Sequence, residues 1–336
     1  MNNLITRYTE LNDNPDRGVV VRYHGKPYAV NLNKAKHQAV KGLKQEERRN
    51  ILIDGDEVQS RFTIGFEIEK TSLHRTSIKE YPLFCGFEHD RSCGFEAVTH
   101  ILPLVPKSMW RTKVFNMFAE AKKIIDDEFS PSNNRCGGHI NIAVQGMSDE
   151  ELMNRLRKFS GIIQAVFRHR LNNGFCDHNP RMLWDNIMTR SAEPRVVKYA
   201  FCKPTGFGLE YRIPSRVTSV KQMIRRYELM YTLVDFAVNK KDARFNAVCN
   251  AVKPILYSMY DKNESKTNAV LDLAKDMQKF INTGKIDNKV CGWFEGWWSR
   301  NRNVGKMRSH YKRNYDGATE QNVVEFLDHI RNVGLR

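Results

Sequence analysis

The stretch Phe62-Thr63-Ile64-Gly65-Phe66-Glu67-Ile68-Glu69 decides how this chain folds. Read with a period of two, its four large apolar side chains fall on one face of a strand, and Glu67 and Glu69 fall on the other. The two carboxylates would stand about 7 Å apart, since a strand rises ~3.3 Å per residue. Taken alone, such a strand is typical of a sheet with one solvated face. Two like charges on one strand face also repel each other unless a cation or an arginine lies between them.

The same layout recurs at three later places in the sequence. Polar residues again alternate with apolar neighbours, and they are Glu96, then His139 with Asn141, then Glu210 with Arg212. Carboxylate oxygens with an occasional imidazole are ligands that suit magnesium or manganese. If these strands share one sheet, divalent cations that hold a triphosphate would neutralise its acidic face. An arginine there would be a fixed donor for charge that develops on a transferring phosphoryl group.

Composition narrows the class of protein. The 336 residues are 41% hydrophobic and 27% charged, as in an ordinary soluble globular protein. A net charge of +16, from 54 basic and 38 acidic residues, attracts polyanions of any kind. No apolar run approaches the ~20 residues that span a bilayer, and the N-terminal residues lack the apolar core of a signal peptide. Because seven cysteines are an odd number and suggest free thiols, we expect a cytoplasmic protein without a membrane partner. The sequence makes no prediction of oligomeric state.

Three regions are predicted along the chain. Residues 1–60 hold a β-hairpin and a basic helix and are assigned to the sheet domain. Residues 61–218 form the catalytic sheet domain, which contains all of the alternating strands. Residues 219–336 are predicted to be helical and basic.

Periodicity predicts the remaining elements. Two strands around the turn His24-Gly25 form the hairpin. Apolar residues at helical spacing indicate one helix over residues 109–129. Ser148 is predicted to cap a second helix that runs to about Arg170. Residues 71–88 show no clear period and are predicted to be a loop.

Five stretches follow one another in a fixed order. They are Gly65-Phe66-Glu67-Ile68-Glu69; Asp90 followed by Gly94-Phe95-Glu96-Ala97-Val98; Cys136-Gly137-Gly138-His139-Ile140-Asn141; Lys198-Tyr199; and Leu209-Glu210-Tyr211-Arg212. In this order they resemble the motifs of the amidoligase family, which are ATP-dependent carboxylate–amine ligases with the glutamine synthetase fold. The resemblance covers roughly residues 60–216.

The resemblance implies both a fold and a reaction. The fold would be α+β, with a curved antiparallel sheet of the glutamine synthetase-like type, flanking helices and a helical C-terminal part. The concave face of the sheet would hold ATP and two or more Mg²⁺ ions, with Mn²⁺ as an alternative metal. The implied enzyme phosphorylates a carboxylate to an acyl phosphate, which an amine then attacks to form an amide or isopeptide bond. A peptide or a protein is among the candidate substrates.

The resemblance also implies roles for individual residues. The metal beside the nucleotide phosphates would be held by Glu67, His139 and Glu210. The metal on the substrate side would be held by Glu69 and Glu96. Arg212 would stabilise the moving γ-phosphoryl group, and it is a predicted catalytic residue together with Glu69 and Glu96. The predicted contacts to the nucleotide are His139, Asn141, Lys198, Arg212 and Arg216.

The sequence departs from the family pattern at Asn141, where a second histidine is common. An asparagine keeps a hydrogen-bond donor for phosphate but carries no charge, which predicts slower turnover or a replacement contact from another group. One alternative function is an inactive ligase-like scaffold that binds nucleic acid through its net charge and the aromatic, basic stretch 291–315. Another is an enzyme like glutamate–cysteine ligase that acts on free amino acids.

Overall fold

A computed structural model describes residues 61–73, 81, 83–90, 92–99, 101–107, 109–144, 146–170, 202–205 and 208–283, and four N-terminal strands. Those strands are β1 (Val19–Tyr23), β2 (Lys26–Val30), β3 (Asn50–Ile53) and β4 (Asp56–Gln59). They form one sheet in the order β2-β1-β3-β4. β1 pairs antiparallel with β2, from Val19 opposite Val30 to Tyr23 opposite Lys26, and this confirms the predicted hairpin.

Seven further strands form a curled antiparallel sheet. They are β5 (Phe62–Lys70), β6 (Phe84–Asp90), β7 (Gly94–Thr99), β8 (Leu102–Pro103), β9 (Gly138–Val144), β10 (Cys202–Pro204) and β11 (Leu209–Tyr211). Their order is β10-β11-β9-β5-β7-β6, and β8 pairs with β5. The prediction of a mixed fold with a curved antiparallel sheet is confirmed. All four strands predicted to carry polar residues on one face belong to this sheet.

The predicted loop over residues 71–88 is wrong at its C-terminal end. Strand β6 begins at Phe84 and pairs with β7 as far as Asp90 opposite Gly94. The register shifts between Phe84 and Gly86, which interrupts the alternation that identifies a strand from sequence. Pairing with β7 stabilises this segment as a strand, because strand formation depends on cross-strand neighbours as much as on the segment itself.

Most helices in the described part of the chain lie where the spacing of apolar residues predicts them. They are α1 (Met109–Glu120), α2 (Lys122–Ile125), α3 (Asp149–Arg157), α4 (Ser160–Val166), α5 (Val220–Asn239), α6 (Phe245–Met259) and α7 (Glu264–Thr283), with a 3₁₀ turn at Arg168–Arg170. The predicted helix over residues 109–129 is present as α1 and α2 and ends at Ile125. None of the described helices has the length and apolar character needed to cross a membrane.

The second predicted helix, over residues 148–170, is divided. Its start is confirmed, because the backbone N–H of Glu151 donates to Ser148 Oγ at 3.1 Å. The chain leaves the helix after α3 and starts α4 at Ser160. The N–H of Gly161 donates to Gln278 Oε1 at 3.0 Å, and a Cβ on this glycine would lie 2.8 Å from the backbone nitrogen of Gln278. The helix is therefore interrupted where α4 packs closely on α7, and this tertiary contact cannot be predicted from the spacing of apolar residues.

The apolar face of β5 lies against helices. Phe66 is 1% exposed and contacts the ring of Phe118 edge-on, with the ring centroids 5.8 Å apart. Phe118 in turn contacts Tyr227 of α5. The Tyr227 hydroxyl donates to the carbonyl of Pro103 at 2.7 Å and accepts the N–H of Val105 at 2.9 Å. The helices thus cover one face of the sheet, and the polar residues of β5 occupy the opposite face.

The chain divides into two compact units. The first comprises Met1–Leu152 with Pro204–Val234, and the second comprises Met153–Lys203 with Asp235–Arg336. The strands β5 to β9 and β11 belong to the first unit. Helices cover most of residues 220–283, whereas residues 284–336 lie outside the described part of the chain. The prediction of helical structure up to residue 336 therefore stays a prediction.

Candidate metal centre

Strand register brings the predicted polar residues onto one face of the curled sheet. Residues directly opposite each other in an antiparallel pair point to the same face, and residues two apart on one strand share that face. Three opposite pairs occur on adjacent strands, and they are Glu67 with His139, Glu69 with Glu96, and Glu210 with Asn141. Four segments that are distant in the sequence therefore converge in one place.

This polar face is buried. Glu67, Glu96 and Glu210 are each 1% exposed, His139 is 2% exposed and Glu69 is 7% exposed. The alternative of a solvated outer face is therefore wrong. Carboxylates without water are costly unless cations or hydrogen-bond donors compensate them. The cluster must therefore contain compensating donors or positive charges.

The imidazole of His139 lies at the centre of the carboxylates. Its Nδ1 is 2.9 Å from Glu67 Oε2, and its Nε2 is 3.4 Å from Glu69 Oε1. The same Nδ1 lies 3.8 Å from Glu210 Oε1 and 4.0 Å from Glu96 Oε1. Both ring nitrogens thus face acidic groups, although a neutral imidazole has only one N–H to donate.

Arg212, one residue after the end of β11, provides the permanent positive charge. Its Nη1 lies 2.5 Å from Glu210 Oε1, and the side chain is 13% exposed. Burial alone would lower the pKa of this guanidinium, but the carboxylates of Glu210, Glu67 and Glu69 outweigh burial and raise the pKa. The arginine is therefore charged at all ordinary pH values and donates a charge-assisted hydrogen bond to the cluster.

Two further groups orient the carboxylates. The side-chain amide of Asn141 donates from Nδ2 to Glu67 Oε1 at 3.1 Å. The backbone N–H of Gly137 donates to Glu69 Oε2 at 2.5 Å. The sequence predicted that Asn141 contacts the nucleotide, and the structure shows its amide on Glu67. Asn141 therefore fixes the orientation of a carboxylate in addition to any contact with a ligand.

The donor set fits a divalent cation. Glu67, Glu96 and His139 each offer one ligand atom, and these atoms all lie within 4.8 Å of one another. Four carboxylates outnumber the one guanidinium and one imidazole among them, so an added cation is electrostatically favoured. Oxygen ligands with one imidazole suit Mg²⁺ or Mn²⁺. The resemblance assigned Glu96 to one metal and Glu67 with His139 to another, and the compact triad indicates that the two sets of ligands adjoin.

Two predicted nucleotide contacts are not tested by the geometry of this cluster. Arg216 Nη1 donates to the carbonyl of Ser132 at 2.7 Å, in the loop that precedes β9. Lys198 lies outside the described residues. Their predicted contacts with a nucleotide remain predictions.

Sequence reasoning missed two charged residues in the strands of this sheet. Glu88 lies opposite Glu96 in the register of β6 and β7. The signal was the alternation of Glu88 with Asp90 at the end of a segment taken to be a loop. Lys70 ends β5 on the apolar face and is fully buried. Its Nζ donates to the carbonyls of Ile125 at 2.9 Å and Val217 at 3.0 Å.

Lys70 also pairs with Asp127, with 3.1 Å between Nζ and Oδ1. Burial lowers the pKa of Lys70 from 10.5, and the hydrogen bond and charge of Asp127 oppose this effect. The signal in the sequence was a lysine at the fifth position of the apolar series that begins at Phe62. Its contacts link the end of the central strand to two other segments of the first unit.

Comparisons of the chain with protein-family models, curated proteins and solved structures found no match. The fold and the site define a mixed α and β protein whose curled antiparallel sheet carries a buried centre of carboxylates, one histidine and one arginine. The resemblance to amidoligases rests on the ordered residues of this sequence.

Proposed function

We propose that this protein is an ATP- and Mg²⁺-dependent ligase that joins a carboxylate to an amine. The observation that carries the proposal is the convergence of Glu67, Glu69, Glu96, His139 and Glu210 beside Arg212 on one buried face of the sheet. A buried acidic cluster with an arginine at its side suits a cation-bound triphosphate. The proposal includes a sheet of the glutamine synthetase-like type.

The proposed reaction has two steps that balance. The carboxylate oxygen takes the γ-phosphoryl group of ATP, so that ADP leaves and an acyl phosphate forms. The amine then attacks the acyl carbon, phosphate leaves with the bonding pair, and the nitrogen loses a proton. A free carboxylate resists amines, and its conversion to an acyl phosphate supplies a good leaving group. The products are an amide or isopeptide, ADP and phosphate.

The acidic and basic residues of the centre would have different roles in the reaction. The metal ions would be held by the four carboxylates and the imidazole, which belong to Glu67, Glu69, Glu96, Glu210 and His139. When bound, these ions would neutralise phosphate oxygens and draw together two anions that otherwise repel. Arg212 would donate to the phosphoryl oxygens, and its fixed position avoids reorganisation during transfer. Asn141 and Gly137 would keep the carboxylates of Glu67 and Glu69 in their orientations.

The proposed substrates are a small or protein-borne carboxylate and an amine, and the proposed location is cytoplasmic. A reducing compartment is supported by the described cysteines Cys93, Cys136, Cys202 and Cys249, which form no disulfide. The nucleic-acid alternative depends on the net charge of +16, on Asn141 and on the stretch 291–315, and that stretch lies outside the described residues. The buried acidic centre beside Arg212 is the observation that favours the ligase.

The test measures Mg²⁺-dependent release of ADP from ATP in the presence of mixed amino acids, peptides and amines. Glu67→Gln and Arg212→Ala should each abolish turnover and keep the fold. Exposed residues of the same types provide matched controls, Glu128→Gln and Arg135→Ala, which should keep wild-type rates. Wild-type rates in both site variants would refute the assignment. Absence of ATP binding, together with nucleic-acid binding that weakens steeply with salt, would favour the alternative function.

A further inference from the structure

We propose that Arg226 is a positioning residue for the metal centre. It fixes the backbone that follows Arg212 against the start of β9, and through Gly137 it fixes the carboxylate of Glu69. Neither the alternating strands nor the family motifs include this residue, which lies on α5. The inference rests on the proposed function only for the consequence on metal binding.

The side chain of Arg226 is buried, and its guanidinium donates hydrogen bonds to two adjacent residues. The residue is 2% exposed. Its Nη1 donates to the carbonyl of Ser215 at 2.7 Å, and its Nη2 donates to Ser215 Oγ at 3.0 Å and to the carbonyl of Arg216 at 3.1 Å. Charge-assisted hydrogen bonds from a rigid planar fork define the position of their acceptors more strictly than a single donor does. Arg226 therefore immobilises residues 215 and 216.

The immobilised segment contacts the start of β9. Ser215 forms an isolated antiparallel bridge with Gly137, and the N–H of Gly138 donates to the carbonyl of Pro214 at 3.2 Å. Gly137 is also the residue whose N–H donates to Glu69 Oε2. A shift of residues 214–216 would consequently move the donor that orients Glu69. The same segment begins only two residues after Arg212, so its position also affects the arginine of the centre.

The space at Gly138 shows how closely Arg226 and Ser215 approach the backbone of β9. A Cβ on Gly138 would lie 2.6 Å from Arg226 Nη1 and 2.6 Å from the carbonyl oxygen of Ser215. Atoms cannot remain so close, and one of the three groups would have to move. The guanidinium is thus in direct contact with the backbone of β9 one residue before His139. Gly138 has no side chain at the position where Arg226 approaches.

The test compares two lysine substitutions on the same helix. Arg226→Lys keeps a positive charge but replaces the planar fork with one ammonium group. Arg225→Lys is the matched control, since Arg225 pairs with Glu228 on the helix surface and its side chain is 29% exposed. Mn²⁺ affinity is measured by electron paramagnetic resonance at a temperature where circular dichroism shows both variants folded. We expect Arg226→Lys to weaken Mn²⁺ binding by about 10-fold to 100-fold. Arg225→Lys should leave it within a factor of about two.

A second variant covers the case in which Arg226→Lys does not fold. Ser215→Ala removes the hydroxyl contact and keeps both carbonyl contacts, so it should weaken Mn²⁺ binding in the same direction by a smaller factor. Wild-type Mn²⁺ affinity in every variant that folds would overturn the inference. A loss of equal size in Arg225→Lys would overturn it as well, because the effect would then not depend on the fork.

Backbone hydrogen exchange separates this inference from the proposed function. The exchange rate of the Gly137 amide is measured by nuclear magnetic resonance without any metal. Faster exchange in Arg226→Lys than in Arg225→Lys supports the positioning role, and equal rates in both overturn it. If the wild-type chain binds no Mn²⁺, the metal part of the proposed function fails, and the exchange of Gly137 alone decides the role of Arg226.

Discussion

Glu67 Oε2 lies 2.9 Å from Nδ1 of His139, although the two residues are 72 positions apart in the chain. Their opposition in the β5–β9 pair fixes this contact. Both side chains are almost fully buried, so their interaction is poorly screened by water. The pair is the part of the centre that a bound cation would affect most directly.

Thermal unfolding with added Mn²⁺ tests the role of Glu67. A ligand that binds only the folded chain stabilises it, by about 2.7 kcal/mol at 100 times its dissociation constant. We expect Mn²⁺ to raise the melting temperature of the wild-type chain and to have little effect on Glu67→Gln. Glu128→Gln, at an exposed position, should respond like the wild type. An equal rise in Glu67→Gln would place the bound metal elsewhere.

Arg212→Lys tests whether planar donors are needed in addition to charge. Lysine keeps the charge beside Glu210 but cannot reproduce the guanidinium fork. Loss of a fixed donor to a developing charge typically lowers kcat by about 100-fold or more. We expect such a fall in kcat for ADP release, with Mn²⁺ affinity retained. The exposed control Arg135→Lys should keep the wild-type rate, and an unchanged kcat in Arg212→Lys would contradict the assigned role.

Asn141→Ala tests the orientation of Glu67. The substitution removes the N–H donor to Glu67 Oε1 and leaves that oxygen free to turn. Groups that orient a metal ligand typically change metal affinity by about 10-fold or more. We therefore predict weaker Mn²⁺ binding in an isothermal titration. Asn239→Ala removes a similar amide–carboxylate contact, to Asp235 near the exposed C-terminal end of α5, and should leave the affinity unchanged. Equal affinities in both variants would assign Asn141 no part in the centre.

Cys249 gives a prediction of pH dependence in the second unit. Burial in α6 raises the pKa of its thiol from 9.0 to about 11, while the charge of Lys275 lowers it by less and the charge of Asp272 adds to the rise. The folded chain therefore holds this proton more tightly than the unfolded chain, and the resulting stability is complete below pH 9. It is lost as the pH rises from 9 towards 11, and the loss is on the order of 2 kcal/mol.

Cys249→Val removes the titrating group and keeps an apolar side chain of similar size. Between pH 9 and 11 the unfolding free energy of the wild type should therefore fall relative to that of the variant. Chemical denaturation at several pH values measures this difference, and its value at pH 7 is the reference. A difference that stays constant with pH would show that the thiol does not titrate as expected.

The sequence predicts the central strand and the centre because both depend on alternation. The series from Phe62 to Glu69 has large apolar residues on one face, and only one register buries them. That register places Glu67 on the same face as His139, as predicted. The identity of the polar residues was visible without coordinates, and so was their common face.

The missed features all depend on tertiary contacts. Strand β6 has an irregular register that only its pairing with β7 reveals. Arg226 is one of three basic residues on α5, and nothing in its spacing distinguishes it from the partly exposed Arg225. Lys70 was identifiable as an exception in an apolar series, but its acceptors at Ile125 and Val217 come from distant segments. Contacts with backbone carbonyls leave no pattern in the sequence.

The most direct test is a crystal structure with Mn²⁺ and a non-hydrolysable ATP analogue, in which anomalous scattering locates the metal. We expect a manganese peak coordinated by Glu67, Glu96 and His139, with the triphosphate beside Arg212. A centre without metal at saturating Mn²⁺, or an ordered nucleotide bound away from these residues, would contradict it.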